Sequence, residues 1–189
     1  MKEEFIKLLK GINREGMDKL IEFLEGSDFF VAPASTKYHG ACTGGLVAHS
    51  MKVYEILKTK TKDDDSVKII ALLHDICKVD FYKTDYRNVK KEGVWEQVPY
   101  YTIEDGIPYG HGEKSVMMIS EFIKLTSEEK YAIRWHMGFT EPKELYGTLG
   151  QAYKKYPIAL LTHEADLEAT YIYDIWFIYR KGREHIEEA

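Results

Sequence analysis

The stretch "ALLHDICKVD", residues 71–80, decides the fold. It continues a run, Val67, Ile69, Ile70, Ala71, Leu72, Leu73 and Ile76, that is apolar nearly all round at helical spacing. A helix of that kind over about 66–77 is central and buried. It nevertheless carries an adjacent His74 and Asp75. A buried carboxylate without a partner costs several kcal/mol, so Asp75 must be protonated, paired or bound to something. Binding to metal is the reading the rest of the sequence favours.

Upstream, residues 3–10 and 16–25 place Phe5, Leu8, Leu9, Leu20, Phe23 and Leu24 at helical spacing, which predicts two short amphipathic helices. Pro33, Gly40, Gly44 and Gly45 then predict an irregular loop. A third helix is expected from near Thr43, with Leu46, His49, Ser50, Val53, Ile56 and Leu57 on one face. The polar "TKTKDDDS" ends it, and Ser66 is the expected cap of the buried helix.

Downstream the character changes. "FYKTDYRNVKKEGVWEQVPYYTI", residues 81–103, is rich in aromatic and β-branched residues around "KEG", which predicts a two-stranded hairpin. Helices resume with Val116, Met117, Ser120, Phe122 and Ile123. Thr126 with Glu129 reads as a capping box for a helix over about 127–137. Gly138, Pro142, Gly147 and Gly150 predict mostly loop over 138–156, Pro157 suits a first helical position, and the tail from Tyr171 is expected to close the fold as a helix. The class is all-α with a small inserted hairpin.

The bulk numbers bound the functions. The chain of 189 residues suits one domain with a substantial core. A net charge of −5 argues against general affinity for nucleic-acid backbone, and no stable nucleic-acid partner is expected. Cys42 and Cys77 are too few and too ill-spaced for a disulfide framework or a cysteine zinc site, and read as reduced thiols of a cytoplasmic protein. The charged "MKEEFIKLLK" does not suit a signal peptide, and no run approaches the roughly 18 apolar residues that span a bilayer. No membrane association is expected, and the oligomeric state is left open.

Three of the seven histidines, His49, His74 and His136, fall on or at the end of apolar helical faces. Asp166, in "THEADLEA", lies within another apolar helix. Taken singly, each of these histidines reads better as a hydrogen-bonded core histidine than as a ligand. Together they are expensive unless they meet, and a divalent cation, for which His and Asp are usual ligands, is the simplest compensating charge.

The ordered blocks "GGLVAHS", "LLHDICK", "PYGHGEKS", "IRWHMGF" and "THEADLEA" resemble the HD-domain superfamily of metal-dependent phosphohydrolases, in the subset with two extra histidines for a second metal. The resemblance covers about residues 28–170, with residues 1–27 as a helical extension and 171–189 as a closing helix of one HD-type helical bundle. It implies that His49, His74, Asp75 and Asp166 bind one divalent ion. It further implies that Asp75 bridges to a second, held also by His111 and His136. Such ions stand roughly 3.5–4 Å apart and activate water as a nucleophile, with Asp75 central to catalysis. The family often has glycine where this chain has Cys77, which is expected to be a small buried side chain rather than a ligand.

The same resemblance places Lys78 near the substrate phosphate, with a catalytic or binding role, and His39 at the pocket. A snorkelling lysine and a surface histidine are the plainer alternatives. His163 reads as a core histidine, with a partner that orients a ligand as the alternative, and His185 as exposed. From Lys78 to Lys91 there are five basic residues, including Lys83 and Arg87, against Asp80 and Asp85. That local balance suits an anionic substrate such as a nucleotide, with an aromatic ring stacking on the base. Alternatively the hairpin aromatics seal one side of the core. The function implied is hydrolysis of a small phosphoester by metal-activated water. Members of the superfamily also include di-iron oxygenases, exonucleases and binding modules. The ligand types alone accept Mn, Fe, Co, Ni, Zn and Mg without distinguishing them.

Overall fold

The computed structural model describes residues 1–37 and 40–173. The expected roles of His39 and His185, and the expected closing helix from residue 174 onward, lie outside the described residues. The chain runs through helices α1 (Lys2–Lys10), α2 (Met17–Gly26), α3 (Gly45–Lys60) and α4 (Asp65–Leu73), then a 3₁₀ turn over Ile76–Lys78. The hairpin β1 (Tyr82–Lys91) and β2 (Val94–Ile103) follows. Helices α5 (His111–Ser120), α6 (Ser127–Arg134), α7 (Tyr146–Lys155) and α8 (Pro157–Glu168) complete the body, and α8 runs into a π-helical turn over Ala169–Tyr173. The architecture is a helical bundle with one inserted hairpin.

The apolar run places α4 at the centre. Ile69, Ile70, Leu72 and Leu73 are fully buried, each contributing about 1.5–3 kcal/mol over exposure. That burial carries His74 and Asp75 inside with it. The helix stops at Leu73, His74 and Asp75 occupy the turn, and the 3₁₀ turn resumes at Ile76. One continuous core joins Phe5 and Leu9 of α1 to Ala159 and Ala165 of α8. Within it α3 packs on α4 and α8, and α6 packs on α4, α5 and α8.

Local signals differ from expectation at two places. Asp64, not Ser66, caps α4: its carboxylate accepts from the Val67 N–H at 3.1 Å. Ser66 instead donates to Glu129 at 2.7 Å. The expected loop over 138–156 contains α7, because Leu149 and Ala152 bury one face of it. Gly147 and Gly150 look onto open space, so they cost the helix conformational entropy without breaking it. The capping box at Thr126 and Glu129 is formed in both directions.

The hairpin pairs Tyr82 with Ile103 through Lys91 with Val94 in antiparallel register. Its turn is Glu92–Gly93, both at positive φ (48° and 90°), a two-residue connection whose twist matches the strands. Trp95, 67% exposed, and Tyr86, 58% exposed, do not seal the core, whereas Tyr100 and Tyr101 are half-buried. The base is anchored, since Asp28 accepts from the Asp80 N–H at 2.8 Å and the Tyr82 hydroxyl donates to the Ala34 carbonyl at 3.1 Å.

Candidate metal centre

Four imidazoles and two carboxylates, brought from five places in the chain, meet between α3, α4, α5, α6 and α8. His49 stands in the first half of α3, and His74 and Asp75 in the turn after α4. His111 opens α5, His136 follows α6, and Asp166 lies in α8. The rings form a chain, with centroids 5.3 Å apart for His49 and His74, 4.9 Å for His74 and His136, and 5.1 Å for His136 and His111.

Asp75 sits in the middle, and its two oxygens face different partners. Oδ2 lies 3.8 Å from His49 Nε2 and 3.5 Å from His74 Nε2. Oδ1 lies 2.7 Å from His111 Nε2 and 3.6 Å from His136 Nε2. Asp166 closes the first side, with Oδ1 3.0 Å from His49 Nε2. Every histidine and carboxylate that the sequence assigned to metal is therefore in this cluster.

Ring tautomers test whether the residues fit an ion. His74 Nδ1 donates to the Ala71 carbonyl at 2.8 Å, and His136 Nδ1 donates to the Ile133 carbonyl at 2.6 Å. A carbonyl can only accept, so the proton of each neutral ring is on Nδ1 and the lone pair is on Nε2. Both Nε2 atoms are buried without a hydrogen-bond partner among the described residues. Desolvated lone pairs aimed at a shared carboxylate fit a cation, and the backbone carbonyls are the usual partners that orient ligating histidines. The sets His49–His74–Asp166, His74–Asp75–His136 and Asp75–Cys77–His111 each offer donor atoms within 4.8 Å of one another, among the described residues.

The electrostatics agree. Burial opposes ionisation of Asp75, yet Lys78 and the surrounding histidines hold its carboxyl well below the usual range. Burial likewise opposes Asp166, which His49, His74 and His136 hold low. Burial pushes His74 down to about 4, with Asp75 pulling the other way. For His136 burial is outweighed by Asp75 and Asp166, and its pKa is raised. The cluster keeps both carboxylates ionised, with the Lys78 ammonium beside Asp75.

Around the cluster, Lys78 is not a surface lysine. Its ammonium donates to Asp75 Oδ2 at 2.7 Å and to the Ala34 carbonyl at 2.8 Å. Lys83 pairs with Glu104 at 2.5 Å, and Arg87 lies over the Tyr100 ring at 5.4 Å. Neither has a hydrogen bond or ion pair to the cluster among the described residues. His163 donates through Nδ1 to the His136 carbonyl at 2.7 Å, so it holds that loop rather than merely filling the core. Sequence reasoning missed the Ala34 carbonyl, on which both Lys78 and Tyr82 converge. Only the tertiary fold brings that loop here. Cys77 is buried, as the sequence led one to expect, but its approach to His111, with Sγ 3.3 Å from Nδ1, was not foreseen. Burial and the Asp75 charge push that thiol up to about 12.

The HD domain family model matches residues 46–175, and the chain belongs to the HD domain family. This is in general a family of metal-dependent hydrolases, and the clustered His and Asp side chains are compatible with divalent metal. No curated protein and no solved structure matches the chain. Among the described residues, no helix is long and apolar enough to cross a membrane.

Proposed function

We propose that this chain, as one HD-type domain, is a metal-dependent phosphohydrolase with a binuclear centre, acting on a small phosphoester and in the first instance a nucleotide. The observation that carries the reading is the division of Asp75: one oxygen faces His49 and His74, the other His111 and His136. His49, His74, Asp75 and Asp166 are assigned to one divalent ion, and Asp75, His111 and His136 to a second. Bound divalent ions would supply an acidified water and positive charge for the phosphoryl oxygens.

The chain's own groups do the rest. The Ala71 and Ile133 carbonyls hold His74 and His136 in the ligating tautomer. Lys78 holds Asp75 in place through Oδ2 and has one further N–H to offer a phosphate oxygen. Lys83, Arg87 and the hairpin aromatics are assigned to the rest of the substrate, together with His39. What supports a nucleotide is the hairpin's start at Tyr82, four residues after Lys78, and its exposed aromatic and basic side chains. These offer stacking and charge to a base and phosphates. The setting is proposed to be cytoplasmic.

A panel of nucleotides and phosphomonoesters, incubated with protein loaded separately with Mn, Fe, Co, Ni, Zn and Mg, tests the reading. Release of phosphate or nucleoside from one substrate class is the expected result. An inert panel, or oxygen uptake by the iron form when substrate is added, overturns it.

A further inference from the structure

One chemically active side chain beside the cluster has no role in that account. Cys77 is 2% exposed, and its backbone N–H is fixed by a hydrogen bond to Ser115 Oγ at 3.3 Å. Its Sγ lies 3.3 Å from Nδ1 and 3.8 Å from Nε2 of His111. The donor atoms of Asp75, Cys77 and His111 all fall within 4.8 Å of one another. The fully buried His136 Nε2, without a hydrogen-bond partner among the described residues, faces the same Asp75 Oδ1 at 3.6 Å.

We propose that Cys77 is a thiolate ligand of the second ion, so that this position has an Asp75–His111–His136–Cys77 donor set. The inference rests on the two-ion reading above and adds a sulfur to it. Cys77 is buried as the sequence led one to expect; the proposal departs from the expectation that it is not a ligand. A sulfur and an imidazole nitrogen on one tetrahedral zinc are about 3.5 Å apart, from bond lengths of about 2.3 and 2.0 Å. His111 Nε2, which faces Asp75 Oδ1, stands 3.8 Å from the sulfur, close to that separation. On binding, the S–H bond breaks heterolytically: the proton leaves to solvent and the sulfur donates its electron pair to the ion. A soft donor in place of water or carboxylate biases the position towards Zn, Co or Fe(II) and away from Mg.

Cobalt spectroscopy tests this without reference to turnover. The full-length chain with Cys42→Ser keeps Cys77 as its one thiol. It is stripped of metal and titrated with Co²⁺ alone, with bound cobalt measured at each step. The proposal expects a near-ultraviolet sulfur-to-cobalt charge-transfer band that saturates as two ions bind. In the Cys77→Ala form the band is lost and one ion binds roughly tenfold or more weakly. Two bound cobalt ions without such a band overturn the inference and leave the two-ion reading standing. A single bound ion without the band overturns both. The Cys77-containing protein alone decides the matter, so a poorly folding Cys77 variant does not rescue the idea.

Discussion

Arg14 and Glu129, 115 residues apart in sequence, meet fork to fork, with Nη1 3.1 Å from Oε2 and Nη2 2.9 Å from Oε1. Glu129 is fully buried, and it also accepts from Ser66 and from the Thr126 N–H. One carboxylate thus ties the α1–α2 connection to α4 and to the start of α6. Removing a partner from such a buried pair costs about 3–5 kcal/mol, far above an exposed pair. Glu129→Ala is expected to lose on the order of 3 kcal/mol in urea unfolding at pH 7. Burial works against the Glu129 carboxylate, but Arg14, Ser66 and Thr126 hold its pKa below 4.5. Its stabilisation is therefore complete above the unfolded value and is lost as pH falls through the lower folded value. The gap between wild type and variant should stay full near pH 7 and narrow below about pH 4.5. A gap that widens on acidification would contradict the assignment.

Gly112 marks where α5 meets the end of α6. A Cβ there would run into the Arg134 carbonyl, which is backbone and has little room to shift. Its neighbours His111 and, across the contact, His136 face the same oxygen of Asp75. Gly112→Ala should part the two helices at the proposed second metal position, costing about 1–3 kcal/mol of stability. It should weaken one metal equivalent while leaving the other. Calorimetric metal titration reads this, and two unchanged affinities would show that the contact does not set the site.

Lys83 and Arg87 stand on one face of a hairpin that packs on little besides itself. Arg87→Ala and Lys83→Ala should change Tm little, since surface changes of this kind are usually within about 0.5 kcal/mol. Metal content should not change either. If the hairpin holds a nucleotide, KM rises in both variants and kcat holds. An unchanged KM would remove the hairpin from substrate binding.

The parts of this structure that local chemistry decides were legible in the sequence. The apolar run into His74 and Asp75 predicts a buried α4, the Thr126–Glu129 box predicts the start of α6, and the Glu92–Gly93 turn lies where "KEG" places it. The six metal-type side chains were legible because carboxylates and imidazoles on apolar faces must find one another. Competing local signals hid the rest. Asp64 won the cap over Ser66 because Ser66 is drawn to Glu129, 63 residues away. α7 was masked by two glycines that tertiary burial of Leu149 and Ala152 overrides. The approach of Cys77 to His111, and of the Ala34 carbonyl to Lys78, depends on how distant segments pack, which no local pattern encodes.

The most direct test of the centre is metal stoichiometry by elemental analysis of the purified chain and three variants, each checked for retained helicity. A carboxylate shared between two ions predicts about two equivalents in wild type, about one in His49→Ala and in His111→Ala, and near none in Asp75→Ala. An Asp75→Ala protein that keeps its fold and still holds two equivalents would contradict the account.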